Sequence, residues 1–127
     1  MAILRNSLFI ILLIYSCADS AQPNKNVVIN NHIEGCFTFT NWQIDSNKEP
    51  VLLHASIGSG KKNRECPCKS ALFKYTVTQK DGHDFDTLLI GTFTTLNKNT
   101  VALPLAVQKQ LIFNKVPINL SVTCSSP

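Results

Sequence analysis

Residues 71–78, ALFKYTVT, decide the fold of this chain. Apolar and polar side chains alternate along this stretch, and a period of two residues predicts a β-strand with one buried and one solvated face. The apolar row contains Ala71, Phe73, Tyr75 and Val77. Two further rows with the same period are Val101, Leu103, Leu105 and Val107, and Ile118, Leu120, Val122 and Cys124. Because each row needs a second layer to cover it, we expect an all-β, antiparallel sandwich of two packed sheets.

Turn residues divide the rest of the chain into short runs rich in β-branched and aromatic side chains. We expect strands at residues 27–33, 36–44, 51–57, 70–79, 86–96, 100–107, 110–114 and 118–124. In strand number and spacing the chain is immunoglobulin-like. The Cys…Trp…Cys order of true immunoglobulin domains is missing, however, since Trp42 follows Cys36 closely and the next cysteine is Cys66.

Local signals predict three irregularities in these strands. Pro104 has no N–H to donate to a ladder, so its strand should be an edge strand or carry a bulge. Residues 80–83 (KDGH) predict a hairpin turn. The change of parity between Phe39 and Trp42 predicts a bulge near Thr40, and it assigns Trp42 to the core.

The N-terminal segment has the three regions of an export signal. Arg5 supplies the positive charge, residues 8–15 (LFIILLIY) form the apolar centre, and Ser16, Ala18 and Ser20 offer small residues for cleavage. The apolar run is too short for a transmembrane segment, which needs about 20 residues. We therefore expect a signal peptide over residues 1–20, followed by a single β-sandwich domain over residues 21–127 that is periplasmic or secreted.

Cys17 allows a second interpretation of the same segment, in which it is the lipid-anchored first residue of a bacterial lipoprotein. Ser16 suits that cleavage, but the bulky Tyr15 does not. We favour the signal peptide, in which case Cys17 is removed with it.

The charge of the chain limits its partners. A net charge of +4 is far below the density of cations that a nucleic-acid-binding protein carries, so we expect no nucleic-acid partner. Lys61, Lys62 and Arg64 concentrate three cations behind Gly58 and Gly60. We interpret this segment as a flexible, exposed loop that contacts an acidic protein partner, with a simple solvated loop as the alternative.

The cysteines that follow the signal are Cys36, Cys66, Cys68 and Cys124. In an oxidising compartment we expect two disulfides that staple the domain. A bond between Cys66 and Cys68 would close a very small ring, so we expect these two to bond elsewhere, for example in the order 36–66 and 68–124. Two alternatives stay open: a redox-active Cys66–Cys68 pair beside a Cys36–Cys124 bridge, and reduced thiols that bind a metal ion.

We assign no catalytic residue, metal site or cofactor from sequence. Residues 81–86 (DGHDFD) crowd three carboxylates but lack the ligand order of a calcium loop, and a solvated hairpin tip explains them. His32, His54 and His83 are scattered, and no GxSxG motif is present. Asn119-Leu120-Ser121 is a glycosylation sequon.

The favoured function is a non-enzymatic protein-binding or structural module. One alternative is a secreted effector, toxin or inhibitor that uses residues 58–64 or 80–86 as its contact loop. The other is a redox or metal-handling protein that uses Cys66-Pro67-Cys68.

Overall fold

The computed structural model describes residues 26–112 and 116–125, so the expected signal peptide and Cys17 lie outside the described residues. The described chain forms seven strands and one short 3₁₀ helix. The strands are β1 (Val27–Asn31), β2 (Phe37–Asp45), β3 (Val51–Ser59), β4 (Leu72–Asp81), β5 (Asp84–Thr94), β6 (Thr100–Ala106) and β7 (Ile118–Cys124). The 3₁₀ helix covers Lys109–Leu111, between β6 and β7.

The strands form two sheets, which confirms the predicted all-β sandwich. One sheet has four strands in the order β1-β7-β4-β5, and the other has three in the order β2-β3-β6. The core between them contains residues of all three predicted rows, together with residues of β1, β2 and β3. Its buried side chains include Leu53, Tyr75, Val77, Leu103, Leu120 and Val122.

Two of the predicted rows are shorter than expected. Ala71 precedes β4 and is exposed. Val107 follows β6 and is 60% exposed, whereas Ala106 is fully buried. A register shift opposite Val51 breaks the alternation at the end of β6, because it turns two successive residues, Leu105 and Ala106, toward the core.

The prediction that all strands pair antiparallel is wrong for β1, which pairs parallel to β7. Main-chain hydrogen bonds bracket this pair, from Ile118 N–H to Asn26 C=O (2.7 Å) and from His32 N–H to Val122 C=O (3.1 Å). Most of the domain separates β1 from β7, so no tight turn constrains their relative direction. A side-chain period identifies the buried face of a strand but not the direction of its partner.

The predicted strand at residues 110–114 is also wrong in its described part. Leu111 N–H bonds to Gln108 C=O (3.2 Å) and Ile112 N–H to Lys109 C=O (3.1 Å), which makes a local 3₁₀ turn. The Lys109 N–H donates to Glu49 Oε1 at 3.2 Å. These bonds use the donors that a strand would give to a neighbour, and residues 113–115 lie outside the described part of the chain.

The three predicted irregularities are confirmed. The register of β2 against β3 shifts between Phe39 and Asn41, which turns Trp42 toward the core. Pro104 lies on β6, an edge strand that also carries a shift. Asp81 pairs with Asp84 around a two-residue turn, in which Gly82 has a φ of 64°.

Candidate functional site

The predicted cysteines and cations meet at one end of the sandwich, which we call the disulfide corner. It consists of residues 33–36 between β1 and β2, residues 60–70 between β3 and β4, and residues 124–125 at the end of β7. The β1–β2 and β3–β4 connections meet the end of β7 because β3 ends, and β4 begins, at the same end of the sandwich at which β7 ends. Phe73, near the start of β4, is paired with Cys124.

Two disulfides hold the disulfide corner together. Cys36 is bonded to Cys66, with Cα atoms 4.4 Å apart, and Cys68 is bonded to Cys124, with Cα atoms 5.2 Å apart. Cys66 and Cys68 thus bond to different partners. The bridges span sequence separations of 30 and 56 residues. By loop-closure entropy in the unfolded state each bridge stabilises the fold by about 4 kcal/mol. In the folded state the covalent bonds tether Cys66 to Cys36 and Cys68 to the end of β7.

The two bridges are neighbours in space. The Sγ atoms of Cys36, Cys66 and Cys68 all lie within 4.8 Å of one another. Cys66 is exposed, whereas Cys36 and Cys68 are partly buried. Among the described residues these cysteines are the only group whose spacing would suit a metal ion. Because each sulfur is in a disulfide, the corner offers thiolates only after a bridge is opened.

A groove lies beside the second bridge. It has a volume of about 390 Å³ and is lined by Pro67, Lys69, Ser70, Cys124 and Ser125. The Cys68–Cys124 bridge is therefore next to a surface depression that carries a lysine.

The basic loop, residues 60–66, is packed closely against the β1–β2 turn rather than flexible. A Cβ atom on Gly60 would lie 2.1 Å from the carbonyl oxygen of Gly35, and one on Gly35 would lie 2.3 Å from that of Glu65. The Lys61 N–H also donates to the Glu34 carbonyl at 2.8 Å. The glycines allow two backbones to touch, so the interpretation of Gly58 and Gly60 as sources of flexibility is wrong. Gly58 belongs to β3.

Glu34 pairs with two of the three predicted contact cations. Its Oε2 lies 2.6 Å from Lys61 Nζ and 3.2 Å from Arg64 Nη1. The hydrogen bond from Lys61 lowers the pKa of the Glu34 carboxyl, and the charges of Lys61 and Arg64 lower it further. Lys62 is exposed and has no ion pair within the described part of the chain. Sequence reasoning missed Glu34, since nothing local to residues 61–64 marks a partner so far back in the chain.

The alternative contact loop lies at the opposite end of β4. Asp81, Asp84 and Asp86 are exposed around the β4–β5 turn, as is Phe85, at 62%. The two candidate loops are separated by the whole length of β4, Leu72–Asp81. They would form two surfaces, and the structure does not bring them together.

Sequence reasoning also missed a cleft at the open side of the sandwich, between β1 and β2. It has a volume of about 290 Å³ and is lined by Ile29, Asn31, Glu34, Thr38, Phe39, Trp42 and Lys61. The indole Nε1 of Trp42 is buried and has no acceptor among the described residues. The change of parity between Phe39 and Trp42, from which the bulge was predicted, is the one sequence signal that pointed to this cleft.

No helix within residues 26–112 and 116–125 has the length and apolar character needed to cross a bilayer. The sequence profile of a family described as "Uncharacterized protein conserved in bacteria (DUF2195)" matches residues 11–127. No curated protein and no solved structure matches the chain.

Proposed function

The chain belongs to this family of uncharacterised bacterial proteins, and we propose that it is an exported, non-enzymatic module that binds another protein through the basic loop of its disulfide corner. The observation that carries the proposal is the pair of disulfides that fixes this loop.

The disulfides support export to the periplasm or beyond. Cytosolic thiols are kept reduced, so two structural bridges are typical of a protein that matures in an oxidising compartment. The N-terminal segment carries the features of an export signal, with Arg5 before residues 8–15 and small residues after them. The two observations are independent, because one lies in the domain and the other precedes it.

The fixed shape of the loop favours binding. Ordering a mobile loop costs free energy on association, whereas a loop that is already held in place loses less. Residues 60–66 are held by the Gly60–Gly35 backbone contact, by the Lys61–Glu34 main-chain hydrogen bond and by the Cys36–Cys66 bridge. The loop therefore presents its backbone, and the positions from which its side chains project, in one arrangement.

The charge of the loop favours an acidic partner. Glu34 offsets part of the charge of Lys61 and Arg64, so Lys62 is the cation of this loop that is least engaged by the protein itself. An exposed cation of this kind accelerates association with an acidic surface and does so less at high salt. Lys62 is thus the residue whose removal tests the contact without disturbing the Glu34 pairs.

A photo-crosslinking amino acid at position 62 of the full chain, produced in bacteria, tests this proposal. We expect one discrete adduct with an acidic protein, weaker at high ionic strength. The matched control carries the same group at position 80, at the far end of β4. An adduct from position 80 and none from position 62 would contradict the proposed surface and favour the hairpin tip. An adduct only with proteins of a second organism would favour the effector alternative.

A further inference from the structure

We propose that the disulfide corner is a thiol–disulfide exchange site, in which an incoming thiol reacts at Cys66 and the reaction is passed through Cys36 and Cys68 to release Cys124. This activity goes beyond the proposed binding function and does not depend on the basic loop having a protein partner. It rests on the proximity of the two bridges and on the difference in exposure between Cys66 and its partner Cys36.

The first step occurs at the exposed end of the first bridge. Cys66 is exposed and Cys36 is partly buried, so a thiolate from solvent reaches Cys66 more readily. A small monothiol such as glutathione forms a mixed disulfide with Cys66 as the Cys36–Cys66 bond breaks. The electron pair of the broken bond goes to Cys36, which leaves as a thiolate.

The second step transfers the reaction to the other bridge. The Cys36 sulfur lies within 4.8 Å of the Cys68 sulfur. Attack over this distance is intramolecular, and reactions between groups held close together have high effective concentrations. A Cys36–Cys68 bond forms, the Cys68–Cys124 bond breaks, and Cys124 leaves as a thiolate. Each step breaks one disulfide and forms one, and the negative charge of the incoming thiolate ends on the Cys124 sulfur.

The surroundings of Cys124 favour its departure. Cys124 lines the groove of about 390 Å³ that Lys69 also lines. An ammonium group on the wall of the same groove stabilises a thiolate that faces it, and a stabilised thiolate is the better leaving group in exchange. The released sulfur would face this groove, where it is placed to react with a disulfide of a second molecule.

Peptide mapping locates the products. The native, oxidised protein is exposed to reduced glutathione, and the free thiolates are trapped directly with excess iodoacetamide. We expect glutathione on Cys66, the alkyl group on Cys124, and a crosslinked peptide that joins Cys36 to Cys68. Alkylation of Cys36 with the Cys68–Cys124 bridge intact would overturn the proposal. So would the absence of any adduct on Cys66, or the same mixture of pairings in the native protein as in a urea-denatured control.

A substitution of a groove residue tests whether the groove favours the departure of Cys124 as a thiolate. Lys69→Gln should slow the appearance of the Cys124 thiol roughly threefold, because the groove that the leaving thiolate faces loses its positive charge. The matched control is Lys80→Gln, an exposed lysine at the opposite end of β4, which should leave the rate unchanged. Equal rates for the two variants would contradict the role of the groove.

Discussion

The phenolic hydroxyl of Tyr75 on β4 donates a hydrogen bond of 2.9 Å to the main-chain carbonyl of Pro104 on β6, and so ties the two sheets together. Gly91, the partner of Tyr75 on β5, leaves the space that the ring occupies, since a Cβ there would lie 2.5 Å from it. Burial raises the pKa of the Tyr75 hydroxyl. Tyr75 therefore packs in the core as a member of an alternating row and also joins the two sheets through a hydrogen bond.

Tyr75→Phe should lower the free energy of unfolding by about 1–2 kcal/mol, because it removes this hydrogen bond and leaves the Pro104 carbonyl without its donor. Denaturant unfolding measures the change. Thr92→Ala, at an exposed position of β5, is the control and should have little effect. An effect of Tyr75→Phe no larger than that of the control would contradict the role of the link.

The same hydroxyl predicts a loss of stability at high pH. The folded-state pKa of Tyr75 lies above its ordinary value of 10.0. Its contribution is therefore complete below pH 10.0 and is lost as the pH rises through the folded-state pKa. Tyr75→Phe should remove this part of the pH dependence. If the wild-type protein and the variant lose stability equally above that pH, the hydroxyl is not responsible.

Gly91→Ala should destabilise the fold by about 1–3 kcal/mol, since the new methyl group overlaps the Tyr75 ring and the ring must move. Tyr75 is the one tyrosine of residues 21–127, so the NMR resonances of its ring report the displacement directly. A variant with unchanged stability and an unchanged tyrosine signal would show that the ring has room to spare.

Glu34→Gln should destabilise the protein at neutral pH and have little effect in acid. The lowered pKa of Glu34 means that its ion pairs with Lys61 and Arg64 stabilise the fold above its ordinary pKa of 4.5, and that this is lost as the pH falls through the lowered value. Melting temperatures of the two proteins across the acid range provide the test. A difference that persists at the lowest pH would point to a cause other than charge.

Most of the architecture could be predicted because strand periodicity is a local property. The row of Phe73, Tyr75 and Val77 is buried as expected, and the bulge between Phe39 and Asn41 was visible as a change of parity. The parallel pairing of β1 with β7 was not predictable in this way, since it joins segments with no turn between them. Local hydrogen bonds, rather than side-chain pattern, decided the 3₁₀ turn at Lys109–Leu111.

The site was predictable in its residues and not in its geometry. The sequence identified the cysteines and the cations, but their meeting in one corner depends on where β3 ends and where β4 and β7 are paired. Glu34 and the close approach of Gly35 to Gly60 were invisible, because both are contacts between segments far apart in sequence. These contacts change the interpretation of the loop from a flexible charge cluster to a fixed surface.

The intact mass of the protein, measured after fractionation of bacteria that produce the full chain, tests the central claim of an exported, disulfide-stapled module most directly. We predict a species in the periplasm or medium that begins between residues 19 and 22. Its two bridges make it lighter by four hydrogens than its reduced form. A full-length chain in the cytoplasm, with Cys36, Cys66, Cys68 and Cys124 all open to alkylation without reductant, would contradict the account.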